Sequence, residues 1–122
     1  MQMIIAYIRP IVKDEVAERL RTLKVPGASL SRVDGFGREA DSQGRESYGP
    51  QVSPYADMVK LEVVCADDRV EELVEAIADE AQTGRRGDGK VFILPVERMI
   101  DIRTQSWSQQ AQTIEGEEQD DR

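Results

Sequence analysis

The sequence predicts an α+β domain in which an antiparallel sheet carries two helices on one face, with its elements in the order βαββαβ. Segments with a two-residue apolar period and segments with a helical apolar period succeed one another in that order along 122 residues, the usual size of one domain. The chain is 39% hydrophobic but only 5% aromatic, so its core must be built from Val, Ile, Leu and Ala, which suit sheet faces and helix stripes.

Residues 2 to 9 are rich in Ile and read as a first strand ending at Pro10. Over residues 13 to 24, Val16, Leu20 and Leu23 fall at i, i+4 and i+7 while Glu15 and Arg19 form an outward pair, which predicts an amphipathic helix. Pro26 and Gly27 stop it. Leu30, Val33 and Phe36 mark a second strand, which leaves the sheet at Gly35 and Gly37. Val59, Leu61 and Val63 alternate with Lys60 and Glu62 in a half-buried third strand running on through Val64 and Cys65.

Asp67 and Asp68 are candidate N-caps of a second helix. Glu71 gives a capping-box spacing from Asp68, and Val70, Leu73, Val74, Ile77 and Ala81 line one helical face. Residues 90 to 96 read as a fourth strand, with Ile100 and Ile102 continuing an extended segment. This is the split βαβ, or ferredoxin-like, order, with both helices on one sheet face. β-Branched residues on both faces leave the second face to be buried by association, so an oligomer is expected. Residues 104–122 are polar and acidic and are expected to form a disordered tail behind a domain of residues 1–103, with Trp107 able to pin the start of the tail to the body.

Charge and composition remove several function classes. Formal net charge is −8, half of it in the tail, and no basic stripe offsets it, so nucleic acid is not an expected partner. No apolar run approaches the roughly 18 residues of a spanning helix and no signal-like segment opens the chain, so no membrane insertion and a cytoplasmic location are expected. Cys65 is the only cysteine, which excludes an intrachain disulfide and a cysteine-rich metal site; it reads as a small buried hydrophobe. Histidine is absent, which rules out Ser-His and Cys-His nucleophiles and His-ligated metals within one chain. An enzyme is not expected.

Two stretches carry functional signal. Residues 38–55 lie between two strands, contain Gly44, Gly49, Pro50 and Pro54, and have few apolar residues, so a loop of this length in so small a domain reads as functional. The second is Thr83, Gly84, Arg85, Arg86, Gly87, Asp88, Gly89 and Lys90. Three glycines let backbone N–H groups approach a phosphate closely while Lys90, Arg85 and Arg86 add positive charge, which suggests a polyphosphate site. The spacing matches G-x-x-x-x-G-K, but Val91 stands where a P-loop needs Ser or Thr and a strand follows instead of a helix, so a P-loop NTPase is rejected.

Gly35-Phe36-Gly37-Arg38, the long loop, Thr83-Gly84 with Gly87-Asp88-Gly89-Lys90-Val91-Phe92, and Ile102-Arg103-Thr104 together resemble the PII signal-transduction proteins, without a gap from the first strand to about Thr104. The resemblance implies a ferredoxin-like homotrimer that binds an adenine nucleotide (ADP, AMP or ATP) in clefts between subunits. It also implies that loop 38–55 docks on a regulated partner, a transporter or an enzyme. Carried over by position, Gly87, Asp88, Gly89 and Lys90 would wrap the phosphates, approached by Arg38 and Arg103. Gly35 and Gly37 would belong to the same site, and Ser29 and Val64 would lie near the adenine.

Four positions depart from a nitrogen-sensing member of that family. Met58 replaces the lysine that would pair with a carboxylate of 2-oxoglutarate, Glu39 a glutamine that helps hold magnesium, Gln51 a tyrosine that is uridylylated, and Asp101 an arginine near the terminal phosphate. The nucleotide motif is intact, so altered ligand choice is expected. A branch of the family serving inorganic-carbon uptake fits best, with bicarbonate as the leading small-anion candidate and the role of magnesium open. The alternative is a conventional nitrogen-regulatory protein controlling an ammonium transporter or a nitrogen-assimilation enzyme.

Overall fold

A computed structural model describes residues 1–37 and 55–110. Arg38, Glu39, Gln51 and nearly all of the expected docking loop, together with residues 111–122, lie outside the described residues. The main sheet has four antiparallel strands, β1 (Gln2–Ile8), β2 (Ser29–Gly35), β3 (Ala56–Cys65) and β4 (Gly89–Pro95), in the spatial order β2-β3-β1-β4. Helices α1 (Lys13–Thr22) and α2 (Val70–Ala81) supply the second layer. The expected ferredoxin-like arrangement is therefore present.

Period-two patterning sets the core. Ile4, Ala6 and Ile8 of β1 point to the same side as Val59, Leu61, Val63 and Cys65 of β3, and all are buried against Val16 and Leu20 of α1 and Val70, Leu73, Ile77 and Ala81 of α2. Each large aliphatic side chain so buried contributes about 2 kcal/mol. Burial desolvates the Cys65 thiol and pushes its pKa up, as expected of a residue that packs and does not react.

Among the described residues, the helices leave the opposite face uncovered. Met3, Ile5 and Tyr7 of β1 are paired with Leu94, Phe92 and Lys90 of β4 and with Val64, Glu62 and Lys60 of β3, so these side chains share that face. Tyr7 and Phe92 meet edge to face at 6.2 Å between ring centroids, and Phe92 remains 49% exposed.

Several boundaries differ from the sequence expectation for identifiable reasons. The first helix stops at Thr22, two residues early, because Lys24 takes a positive φ of 60° and Val25 N–H donates to Leu20 O at 3.1 Å, reversing the chain before Pro26. The second helix is not capped by an aspartate side chain. A 3₁₀ turn, Asp67–Arg69, precedes it and places Asp68 inside the turn, while Asp67 accepts the Met1 ammonium at 2.6 Å. Arg69 instead reaches back to the end of α1, donating to Leu23 O at 2.6 Å.

The chain beyond β4 is a hairpin and not a simple extension. Strands β5 (Met99–Ile100) and β6 (Trp107–Ser108) pair antiparallel, with Ile100 opposite Trp107, and the Arg98 guanidinium stacks 4.5 Å from the centroid of the Trp107 ring. Ile102 lies in the turn between them, so the expected extended run ends at Ile100. The turn is built by Asp101, whose Oδ1 accepts N–H bonds from Arg103 at 2.9 Å and Thr104 at 3.2 Å. Residues 104–110, expected to begin the tail, form the rest of this turn and its return strand.

Candidate nucleotide site

The glycine stretch connects α2 to β4 and is held by one carboxylate. Asp88 Oδ2 accepts the N–H groups of Thr83 at 2.7 Å and Gly84 at 3.0 Å, and its Oδ1 accepts the Thr83 hydroxyl and the Arg9 Nε at 2.9 Å. Arg9 Nη2 also donates to the Arg86 carbonyl at 2.6 Å. Burial pushes the Asp88 pKa up, but the Thr83 hydroxyl, Arg9 and the amides of Thr83 and Gly84 outweigh it and hold the carboxyl well below the usual carboxylate range. Asp88 thus folds the loop from within, and its side chain is already engaged by the loop's own donors.

Glycine is required here by conformation. Gly84, Gly87 and Gly89 have φ of 83°, 88° and 120°, all in the left-handed half that side chains avoid. Gly89 opens β4 directly opposite Ile8, close against the backbone of β1, and Lys90 follows opposite Tyr7 on the open face. Positive φ values at a turn are the backbone pattern that makes concave anion sites from N–H groups.

The remaining sequence-derived residues fall into two groups. Gly35 ends β2 opposite Ala56, half-buried, with Met58 Cγ 3.8 Å from where a side chain would begin; exposed Gly37 follows just beyond. Register places this point and the Gly89 end of β4 at the same end of the sheet, since Ile8 pairs with both Val59 and Gly89. Val64, opposite Met3, lies toward the other end, and Ser29, opposite Glu62 and so level with Ile5, lies between; both point to the open face as diagonal neighbours. The hairpin carrying Arg103 leaves the sheet from the Val64 end, where Val96 N–H donates to Met1 O at 3.1 Å. Met3 and Ile8, which mark the levels of Val64 and Gly89, are five residues apart along β1, about 17 Å, and Ser29 stands at the level of Ile5 between them.

Within one chain, therefore, the fold gathers Gly35, Gly37, Gly87, Asp88, Gly89 and Lys90 at one end of the sheet and places Val64 near the other, with Ser29 between them and Arg103 on the hairpin that follows the Val64 end, while Arg38 lies outside the described residues. Sequence reasoning missed Arg9, whose partner Asp88 is 79 residues away and which carries no local signal beyond ending a strand. Among the described residues no cluster of three or more acidic or cysteine side chains is arranged to hold a metal ion.

Comparison with known proteins agrees with this architecture. Residues 1–106 match the family model described as Nitrogen regulatory protein P-II. Among curated relatives, each named Nitrogen regulatory protein P-II, the protein of Cereibacter sphaeroides is 45% identical over 104 residues, covering 85% of this chain and 93% of the relative. Those of Rhizobium meliloti and Pasteurella multocida are 41% and 38% identical over the same coverage.

A ferredoxin-like sheet of this order, matched to that family model over residues 1–106, defines a regulatory domain of the P-II type. The chain belongs to the P-II family. Proteins of this family are signalling proteins and not enzymes; they are homotrimers that bind adenine nucleotides and 2-oxoglutarate and regulate transporters or enzymes.

Proposed function

We propose that this chain forms a homotrimer in the cytoplasm, binds an adenine nucleotide in the clefts between subunits, and regulates a partner protein through loop 38–55. The observation that carries this reading is the division of the candidate site between the two ends of the sheet. A cleft between copies sets the glycine loop of one subunit against Ser29, Val64 and Arg103 of its neighbour, and the same association buries Ile5, Tyr7, Phe92 and Leu94. Lys90 and Arg103 supply charge for the phosphates, and the amides of the glycine loop supply neutral donors. Asp101 provides a carboxylate beside Arg103 and no guanidinium, so ADP and AMP bind at least as tightly as ATP.

The partner pathway in this reading is inorganic-carbon signalling. Met58 packs beside Gly35 at the root of the loop, where a thioether offers a carboxylate neither charge nor a hydrogen-bond donor. This weakens 2-oxoglutarate and leaves room for a smaller anion, bicarbonate, beside the nucleotide. A second reading, a conventional nitrogen-regulatory protein, is favoured by the names of relatives 38–45% identical to this chain. Calorimetry separates the two. With ATP and magnesium present, negligible 2-oxoglutarate binding and measurable bicarbonate binding are expected; micromolar affinity for 2-oxoglutarate would establish the conventional reading.

A further inference from the structure

We propose that Arg9 is a positioning residue for nucleotide binding, holding the glycine loop in its phosphate-receiving form before the ligand arrives; this rests on reading that loop as the phosphate site. Arg9 follows the last residue of β1, the strand whose Ile8 pairs with both Val59 and Gly89, so its guanidinium emerges at the base of the loop from a strand hydrogen-bonded on both sides. Two of its nitrogens engage two different loop groups, Nε the Asp88 carboxylate at 2.9 Å and Nη2 the Arg86 carbonyl at 2.6 Å. A planar guanidinium can hold two acceptors in one geometry, which a lysine ammonium at the same position does less well. Asp88 passes the restraint on, because its other contacts are the amides of Thr83 and Gly84 and the Thr83 hydroxyl. Both ends of the turn and its middle are thereby tied to β1.

The tie is partly sheltered: the Arg9 and Asp88 side chains are 20% and 21% exposed. It also spans the segment that holds Gly84, Gly87 and Gly89. Three glycines make that segment costly to order, and an ordering cost met in the free protein is removed from the binding step. Arg9 therefore acts on affinity through Asp88 and Arg86, without touching the nucleotide.

The test compares wild type, Arg9→Gln, Arg9→Lys, Asp88→Asn and the Arg9→Gln/Asp88→Asn double variant, titrated with ADP and, separately, with adenosine. Thermal unfolding reports on the fold. Arg9→Gln is expected to weaken ADP about tenfold or more while changing adenosine little, Arg9→Lys to recover part of the loss, and the double variant to bind no more weakly than the worse single variant. Equal losses for ADP and adenosine would mean a general structural role and overturn the proposal. Losses that multiply in the double variant would mean that Arg9 meets the nucleotide directly, and would overturn it as well. If Arg9→Gln does not fold, the comparison rests on Arg9→Lys and Thr83→Val, for which unchanged ADP affinity is the contradicting result. Absence of ADP binding by wild type would remove the phosphate-site reading itself, and the proposal with it.

Discussion

A side chain at Gly89 has no room: its Cβ would lie 1.7 Å from the carbonyl oxygen of Tyr7 and 2.8 Å from the Tyr7 carbonyl carbon. The obstacle is backbone of the central strand, which cannot yield as the tip of a flexible side chain would. Gly84 also has a positive φ, 83°, but a Cβ there meets nothing within 4 Å. Gly89→Ala is expected to destabilise the protein by about 3 kcal/mol or more, by prising β4 from β1. Gly84→Ala should cost only about 1 kcal/mol, from backbone conformation alone. Denaturant unfolding of the two variants checks the contrast, and similar losses would contradict it.

Asp101 caps its own turn, so changing it should act first on the hairpin. Asp101→Ala removes the acceptor for the Arg103 and Thr104 amides and is expected to loosen β6, with a local cost of about 1 kcal/mol. Trp107 is the only tryptophan, and its ring stacks under Arg98, so its fluorescence reports on the hairpin alone. A changed emission maximum and easier quenching are expected in Asp101→Ala, with Asp101→Asn close to wild type because its side-chain carbonyl can still accept. An unchanged Trp107 signal in Asp101→Ala would show that the turn does not depend on the cap.

Much of this fold is legible in the sequence because its strands and helices carry clean periods. Val59, Leu61 and Val63 alternate with Lys60 and Glu62, and Leu73, Ile77 and Ala81 recur at helical spacing; each set is buried where its period says it should be. The hairpin was not legible, because its strands are only two residues long, too short for a period, and it is closed by contacts that carry no sequence period: the Asp101 cap, backbone bonds of Asp101 with Gln105 and Ser106, and the Arg98–Trp107 stack. The Asp67–Asp68 capping reading failed for a related reason: an aspartate before a helical run has the same sequence whether it caps the helix or pairs with the chain terminus. At the site, the glycine positions were readable from their spacing. The division of the site between two ends of the sheet was not, since it depends on strand order and register, and neither was Arg9, which meets its partner only through the fold.

The Asp88 brace should persist over a wide pH range. Its carboxyl is held below its unfolded value of about 3.9, so its stabilisation is fully present above that value and is lost as pH falls through the depressed folded value. Amide hydrogen exchange at Thr83 and Gly84, corrected for intrinsic rates, should therefore show constant protection from pH 8 down to about 4, weakening only in stronger acid. Protection that fell between pH 7 and 5 would contradict the assignment, because the Asp88 carboxyl, held below the usual carboxylate range, stays ionised throughout that interval.

Phe92 tests the open face as an interface between copies. Half exposed and edge-on to Tyr7, it stands on the edge strand β4 opposite Ile5, within the uncovered apolar set. Phe92→Asp is expected to convert the trimer to monomer in light scattering and to weaken ADP by at least about tenfold, since a charge in an apolar interface costs several kcal/mol. A monomeric variant that kept wild-type ADP affinity would remove the shared cleft.

The phosphate-binding role of the glycine loop is tested most directly by nuclear magnetic resonance of the labelled protein titrated with ADP. Saturable shifts should be largest at the amides of Gly84, Gly87, Gly89 and Lys90, with a second set at Ser29, Val64 and Arg103 contributed by the neighbouring subunit. Titration with adenosine should move the second set and leave the glycine amides near their free positions. Shifts confined to other parts of the sheet, or glycine amides that respond to adenosine as strongly as to ADP, would show that this loop does not receive the phosphates.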